Sequence, residues 1–121
     1  MNNELQDHTN TELGRKGEKL AAKYLAEKGL EVIQFNYRYG RGEIDIIAKD
    51  KNILVFVEVK YRTSIKFGFP EEFVDKGKVK RIKNVAESYI FEKNWTADIR
   101  FDIVSIVEVR KISIEHFIDC F

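Results

Sequence analysis

The stretch Ile53-Leu54-Val55-Phe56-Val57-Glu58-Val59-Lys60-Tyr61 constrains the fold more than any other part of the chain. Seven of its nine residues are apolar or aromatic, and such a run reads as a strand covered on both faces. Glu43 to Lys49 reads as the strand before it, joined by a short turn around Asp50-Lys51-Asn52. A further strand, Glu31 to Arg38, enters through the turn Tyr39-Gly40-Arg41-Gly42. Upstream, Leu13, Gly17, Leu20, Ala21, Tyr24 and Leu25 recur at three- and four-residue steps. That spacing predicts a helix with Thr11 as its N-cap and Gly29 as its left-handed stop. Downstream, Val79, Ile82, Val85, Ala86, Tyr89 and Ile90 form one stripe of a second helix, from about Asp75 to Lys93. Asp98 to Val107 and Ile112 to Asp119 read as two closing strands around a turn at Arg110-Lys111. The order α-β-β-β-α-β-β predicts an α/β architecture, a mixed sheet flanked by helices.

At 121 residues the chain fits one domain. Residues 1–10 are polar and aperiodic, so they are expected as a flexible tail ahead of a domain over 11–121. The single cysteine, Cys120, excludes an internal disulfide and a cysteine metal cluster. The opening MNNELQDHTN lacks the pattern of a signal peptide. No apolar run approaches the ~20 residues that cross a bilayer, so a soluble, cytoplasmic, reducing setting without membrane contact is expected. Lys plus Arg is 21 against 20 Asp plus Glu, a net of +1, but the balance is uneven. Lys60, Arg62, Lys66, Lys76, Lys78, Lys80, Arg81 and Lys83 face only Glu71, Glu72 and Asp75 in that stretch, a local +5. Such a patch suits a polyanion, although it also describes a solvated face.

Alternation puts Glu43, Asp45 and Ile47 on one face of their strand and Ile44, Ile46 and Ala48 on the other. In the next strand Leu54, Phe56, Glu58 and Lys60 share a face against Val55, Val57 and Val59. A turn symmetric about Lys51-Asn52 sets Asp45 opposite Glu58 and Glu43 opposite Lys60. A shift of two residues sets Asp45 against Lys60 or Phe56 instead, and Lys51-Asn52 is too weak a turn signal to choose. Two carboxylates ~4 Å apart at an effective dielectric of about 20 repel by roughly 4 kcal/mol. Solvent, a raised pKa, the Lys60 ammonium or a bound cation must offset that. Hard oxygen donors without His or Cys suit Mg²⁺ or Mn²⁺. Two carboxylates, a cation and a lysine together suit phosphodiester hydrolysis. The plainer alternative makes Glu58 and Lys60 the solvent side of a one-sided strand, but their apolar neighbours Ile47, Leu54 and Phe56 count against it.

Asp45, twelve intervening residues and then Glu58-Val59-Lys60 resembles the D…(D/E)-x-K signature of the restriction-endonuclease-like, PD-(D/E)xK nuclease superfamily. More specific words surround it: Gly14-x-x-Gly17-Glu18, Asn36-Tyr37-Arg38, Gly42-Glu43-Ile44-Asp45, Val55-Phe56-Val57-Glu58-Val59-Lys60-x-Arg62, Phe67-Gly68-x-Pro70 and Arg100-Phe101-Asp102. In that order, from about Leu13 to Val107, they resemble the small bacterial YraN family. The resemblance implies an αβββαβ nuclease core with an extra C-terminal strand. It implies Asp45, Glu58 and the Val59 carbonyl as Mg²⁺ or Mn²⁺ ligands and Lys60 as catalytic lysine. Glu18 would match the helix glutamate that Holliday-junction resolvases place beside the metal. Ile44 stands where the superfamily often has proline.

Glu43 is expected beside Lys60 or Arg62, supporting them and not holding the metal. Lys76, Lys78, Lys80, Arg81 and Lys83 cluster where the second helix begins, with Arg41 and Arg62 extending the surface. They are the candidate phosphate contacts, because cations at a helix N-terminus oppose its dipole. Arg100 and Asp102 read as a structural pair, and His8, His116 and Cys120 receive no chemistry. The expected function is metal-dependent cleavage of DNA, branched or otherwise structured, with RNA and a homodimer left open. Two rival classes are a nucleic-acid-binding module without turnover and a protein-interaction adaptor using the final strand as a sheet edge.

Overall fold

The computed structural model describes residues 2–64 and 76–121. In chain order they form α1 (Asn2–Glu27), β1 (Glu31–Tyr39), β2 (Gly42–Asp50), β3 (Ile53–Arg62), α2 (Lys76–Lys93), β4 (Ile99–Glu108) and β5 (Ile112–Phe117). The strands make one sheet in the order β1-β2-β3-β4-β5. β3 pairs parallel with β4 and every other neighbouring pair is antiparallel. The mixed α/β architecture expected from the sequence is therefore present, an αβββαβ order with a C-terminal strand added. The Phe67-Gly68-x-Pro70 word, Lys66, Glu71, Glu72 and Asp75 lie outside the described residues.

β3 takes the middle of the sheet, as its doubly apolar pattern requires. Its two faces separate two cores. Val55 and Val57 pack with Ala21 and Leu25 of α1, Ile46, Ala48, Val104 and Ile106. Leu54 and Phe56 pack with Ile82, Val85, Ala86 and Tyr89 of α2, Ile44, Ile47 and Phe101. The parallel β3–β4 pair needs a crossover, and α2 supplies it.

Several boundaries differ from expectation. α1 is already helical at Asn2, ahead of the Thr11 expected to cap it. Residues 2–10 carry no apolar stripe, so periodicity has nothing to detect there. Gly29 does end the helix: its φ is +94°, and the Gly29 and Leu30 amides donate to the Ala26 and Leu25 carbonyls, each at 3.0 Å. Gly14, of the Gly14-x-x-Gly17-Glu18 word, is exposed with nothing near its Cβ position. Gly17 is closely packed: a Cβ there would stand 2.8 Å from Tyr61 Cβ.

Candidate functional site

The β2–β3 hairpin takes the symmetric register, from Asp50↔Ile53 to Ile46↔Val57. The ladder ends one pair short of Asp45 and Glu58. There the Val59 amide donates to Asp45 Oδ2 at 2.8 Å, so a side chain takes the place of the next rung. The pleat also changes face at this point. Ile46 packs with α1, whereas Ile44, two residues earlier, packs with α2. Strict alternation had set Ile44 with Ile46 and Ala48, and that expectation is corrected. On β1 the matching residue is Asn36, which stands opposite Asp45 between the pairs Phe35↔Ile46 and Tyr37↔Ile44. Asn36 has φ +51°, a left-handed conformation inside a strand. The reversal leaves Asp45 at a lip between the two faces of the sheet, lining a cavity on each side.

On the α1 side, a cavity of about 360 Å³ is lined by Leu13, Glu18, Asp45, Val59, Tyr61 and Arg62, among others. Glu18 lines this cavity and Glu43 the one on the other side; with Asp45 they each offer a carboxylate oxygen, all within 4.8 Å of one another. Asn36 Nδ2 donates to Glu18 Oε1 at 2.8 Å and to Glu43 Oε1 at 2.6 Å. Arg38 Nε lies 3.4 Å from Glu43 Oε2. Glu43 thus joins the acidic group, where the sequence had put it behind Lys60 or Arg62.

On the α2 side, a cavity of about 250 Å³ is lined by Arg41, Asp45, Glu58, Lys78, Arg81 and Ile82, among others. Glu58 and Lys60 are buried, 8% and 7% exposed, which removes the solvated-strand alternative. Glu58 Oε1 accepts Lys78 at 2.6 Å and lies 3.4 Å from Lys60 Nζ. Lys78, expected among the phosphate contacts, is therefore tied to the acidic residue of the motif. Lys76, Lys80, Arg81 and Lys83 of α2 are exposed, as are Arg41 and Arg62.

The electrostatics follow from this crowding. Burial pushes the Asp45 carboxyl up to about 8, reinforced by the charges of Glu58, Glu18 and Glu43 and only partly opposed by the Val59 amide. Burial and then Lys78 draw the Lys60 ammonium below its usual range, although Glu58 works the other way. Burial would lower Lys78 too, but Glu58 outweighs it and raises that ammonium. The donor set is all carboxylate and carbonyl oxygen, with no imidazole or thiolate among these residues. That chemistry fits Mg²⁺ or Mn²⁺.

The family model described as "Uncharacterised protein family UPF0102" matches residues 17–106. The chain belongs to the UPF0102 family. A UPF0102 protein of Chlorobium limicola is 47% identical over 95% of this chain and 95% of its own length. One from Cytophaga hutchinsonii is 47% identical over 77% of this chain and 82% of its own. A third, from Clostridioides difficile, is 45% identical over 93% of this chain and 98% of its own. The YraN resemblance is thereby borne out.

Other polar groups of this UPF0102 chain are structural. Asp102, fully buried, takes Arg100 Nε and Nη2 at 3.0 Å each, His116 Nε2 at 2.7 Å and the Asp119 amide at 2.9 Å. Burial alone would raise its carboxyl, but the bonds to His116, Arg100 and Asp119 outweigh that and hold it below the usual range. The structural pairing expected of Arg100 and Asp102 is present. Two partners were missed from sequence. One is Asn36, whose signal was an asparagine in mid-strand, rare there and tolerant of φ > 0. The other is Glu108, which accepts Tyr61 Oη at 2.5 Å and Lys16 Nζ at 2.8 Å; no spacing ties it to α1.

Proposed function

We propose that this UPF0102 chain is a Mg²⁺- or Mn²⁺-dependent phosphodiesterase acting on DNA, with branched or structured DNA as its substrate class. The observation that carries the reading is the Asp45 lip. A carboxylate buried beside Glu18, Glu43 and Glu58 is a poor arrangement for stability alone and a good one for a divalent cation. Asp45, Glu58 and the Val59 carbonyl would hold the ion, with Glu18 adding charge from the α1 side and Glu43 from the α2 side. When bound, it would lower the pKa of a water and neutralise charge developing on the phosphate. The chain's own groups supply the rest. The Val59 amide fixes one Asp45 oxygen and leaves the other to face the site. Lys60, its ammonium drawn below the usual lysine range by burial, orients the attacking water or screens the leaving oxygen. Arg41, Arg62 and the exposed cations of α2 hold the flanking phosphates. The choice of branched DNA rests on the resemblance to resolvases.

The test is incubation of the purified protein, with either metal, with duplex, single-stranded, nicked and four-way DNA. Cleavage that vanishes in Asp45→Ala while DNA binding persists supports the reading. Substrates left whole at concentrations where they are bound contradict it. One observation favours a second reading, a binding module without turnover: Lys78 and Lys60 already neutralise Glu58 from within. A module would bind the same DNA and have no cleavage for Asp45→Ala to remove.

A further inference from the structure

We propose that Asn36 is a positioning residue, which holds Glu18 and Glu43 together beside Asp45 without cancelling their charge. The inference rests on the metal-binding reading of the Asp45 lip. Three observations support it. Asn36 donates from a single Nδ2 to both glutamates, one proton to each. Carboxylates only accept when ionised, so the amide nitrogen and not its oxygen faces them. Its φ of +51° turns the backbone out of the β1 pleat at the residue opposite Asp45. That conformation disfavours β-branched or bulky side chains and is tolerated by asparagine.

The choice of side chain follows from electrostatics. Glu18 comes from α1 and Glu43 from β2, and like charges on separate elements drift apart unless something bridges them. Arginine or lysine at residue 36 would bridge them and also neutralise them, removing the attraction for a cation. Aspartate would repel both. A neutral donor with two N–H groups keeps the carboxylates in place and adds no positive charge to the one that Arg38 already brings to Glu43. Outer groups that orient metal ligands in this way commonly change metal affinity by about 10- to 100-fold when removed.

The experiment compares Mn²⁺ binding by calorimetry in the wild-type chain and in Asn36→Gly, with thermal unfolding followed in parallel. Glycine accepts the left-handed backbone, so the variant removes the amide while keeping the fold. The expected result is about tenfold weaker Mn²⁺ binding with the melting temperature nearly unchanged. Equal affinity in the two proteins overturns the positioning role and leaves the metal reading intact. A wild-type chain that binds no Mn²⁺, with or without DNA, overturns the metal reading itself. The metal-free wild-type protein gives an independent check through the ¹⁵N-labelled Asn36 side-chain amide. Amide protons shifted well away from those of a solvent-exposed asparagine support the bridge. Amide signals at the positions of a solvent-exposed asparagine overturn it whatever the metal does.

Discussion

Asp45 answers to two opposed demands. Burial and the surrounding carboxylates hold it protonated up to about pH 8, whereas an unfolded aspartate releases its proton near 3.8. Between those values the folded, metal-free chain binds more protons than the unfolded chain, so its stability falls as pH rises through the window. A cation bound at Asp45 would displace that proton, so Mn²⁺ affinity is expected to rise over the same range. Asp45→Asn keeps an acceptor for the Val59 amide and removes the charge. We expect it to stabilise the metal-free protein by about 0.5–2 kcal/mol at pH 8.5 and much less at pH 5, measured by urea unfolding, while abolishing cleavage. Lys60→Met is expected to slow cleavage by about 10²–10⁴-fold with DNA affinity kept within a few-fold, read by single-turnover assay and a binding titration. Asp45, Glu58 and Lys60 were legible because period two sorts faces within a strand. Glu43 was misassigned because that period fails at Asp45, where Ile44 changes core. Nothing in the spacing of Asn36 and Glu18 says that a helix brings them together.

The site depends on how closely α1 and α2 approach the sheet. Gly17 lets α1 lie against the Tyr61 side chain of β3, and Glu18 is the next residue. On the other face, a Cβ at Gly42 would stand 2.5 Å from Val85 Cγ2 of α2. Gly17→Ala must push α1 away or displace Tyr61, because the obstructing atom is Cβ and not a flexible tip. Overpacking of this kind costs about 1–3 kcal/mol, measurable by denaturant unfolding. Because the shift moves Glu18 from Asp45, Mn²⁺ affinity is expected to fall as well. A variant that loses stability with unchanged affinity would separate the helix from the site. The elements themselves were readable, since β-branched runs, the Gly29 stop and the α2 stripe carry strong local signals. The extent of α1 toward Asn2 was not, because its first turns show no apolar periodicity. Gly14 and Gly17 look alike in sequence, and only packing against Tyr61 tells them apart.

For the whole molecule, a net charge of +1 conceals a basic side formed by α2, next to a cavity that reaches Asp45. If those cations hold phosphates, charge reversal at Lys80, Arg81 or Lys83 weakens DNA binding without regard to sequence. Each lost contact is expected to lower the slope of log K against log salt by about one, checked by titrating salt against a labelled oligonucleotide. Among the described residues no helix is long and apolar enough to cross a membrane. The basic run was legible as a count of charges; that Lys78 turns inward to Glu58 was not, because helix phase relative to β3 is a tertiary fact. The central claim is that Asp45 anchors a divalent-cation site. Calorimetric titration of Mn²⁺ into the wild-type, Asp45→Ala and Glu58→Ala proteins, repeated with DNA present, tests it most directly. Binding to the wild-type chain that disappears in both variants is expected. Binding that survives in Asp45→Ala, or no binding to the wild-type chain even with DNA, would contradict it.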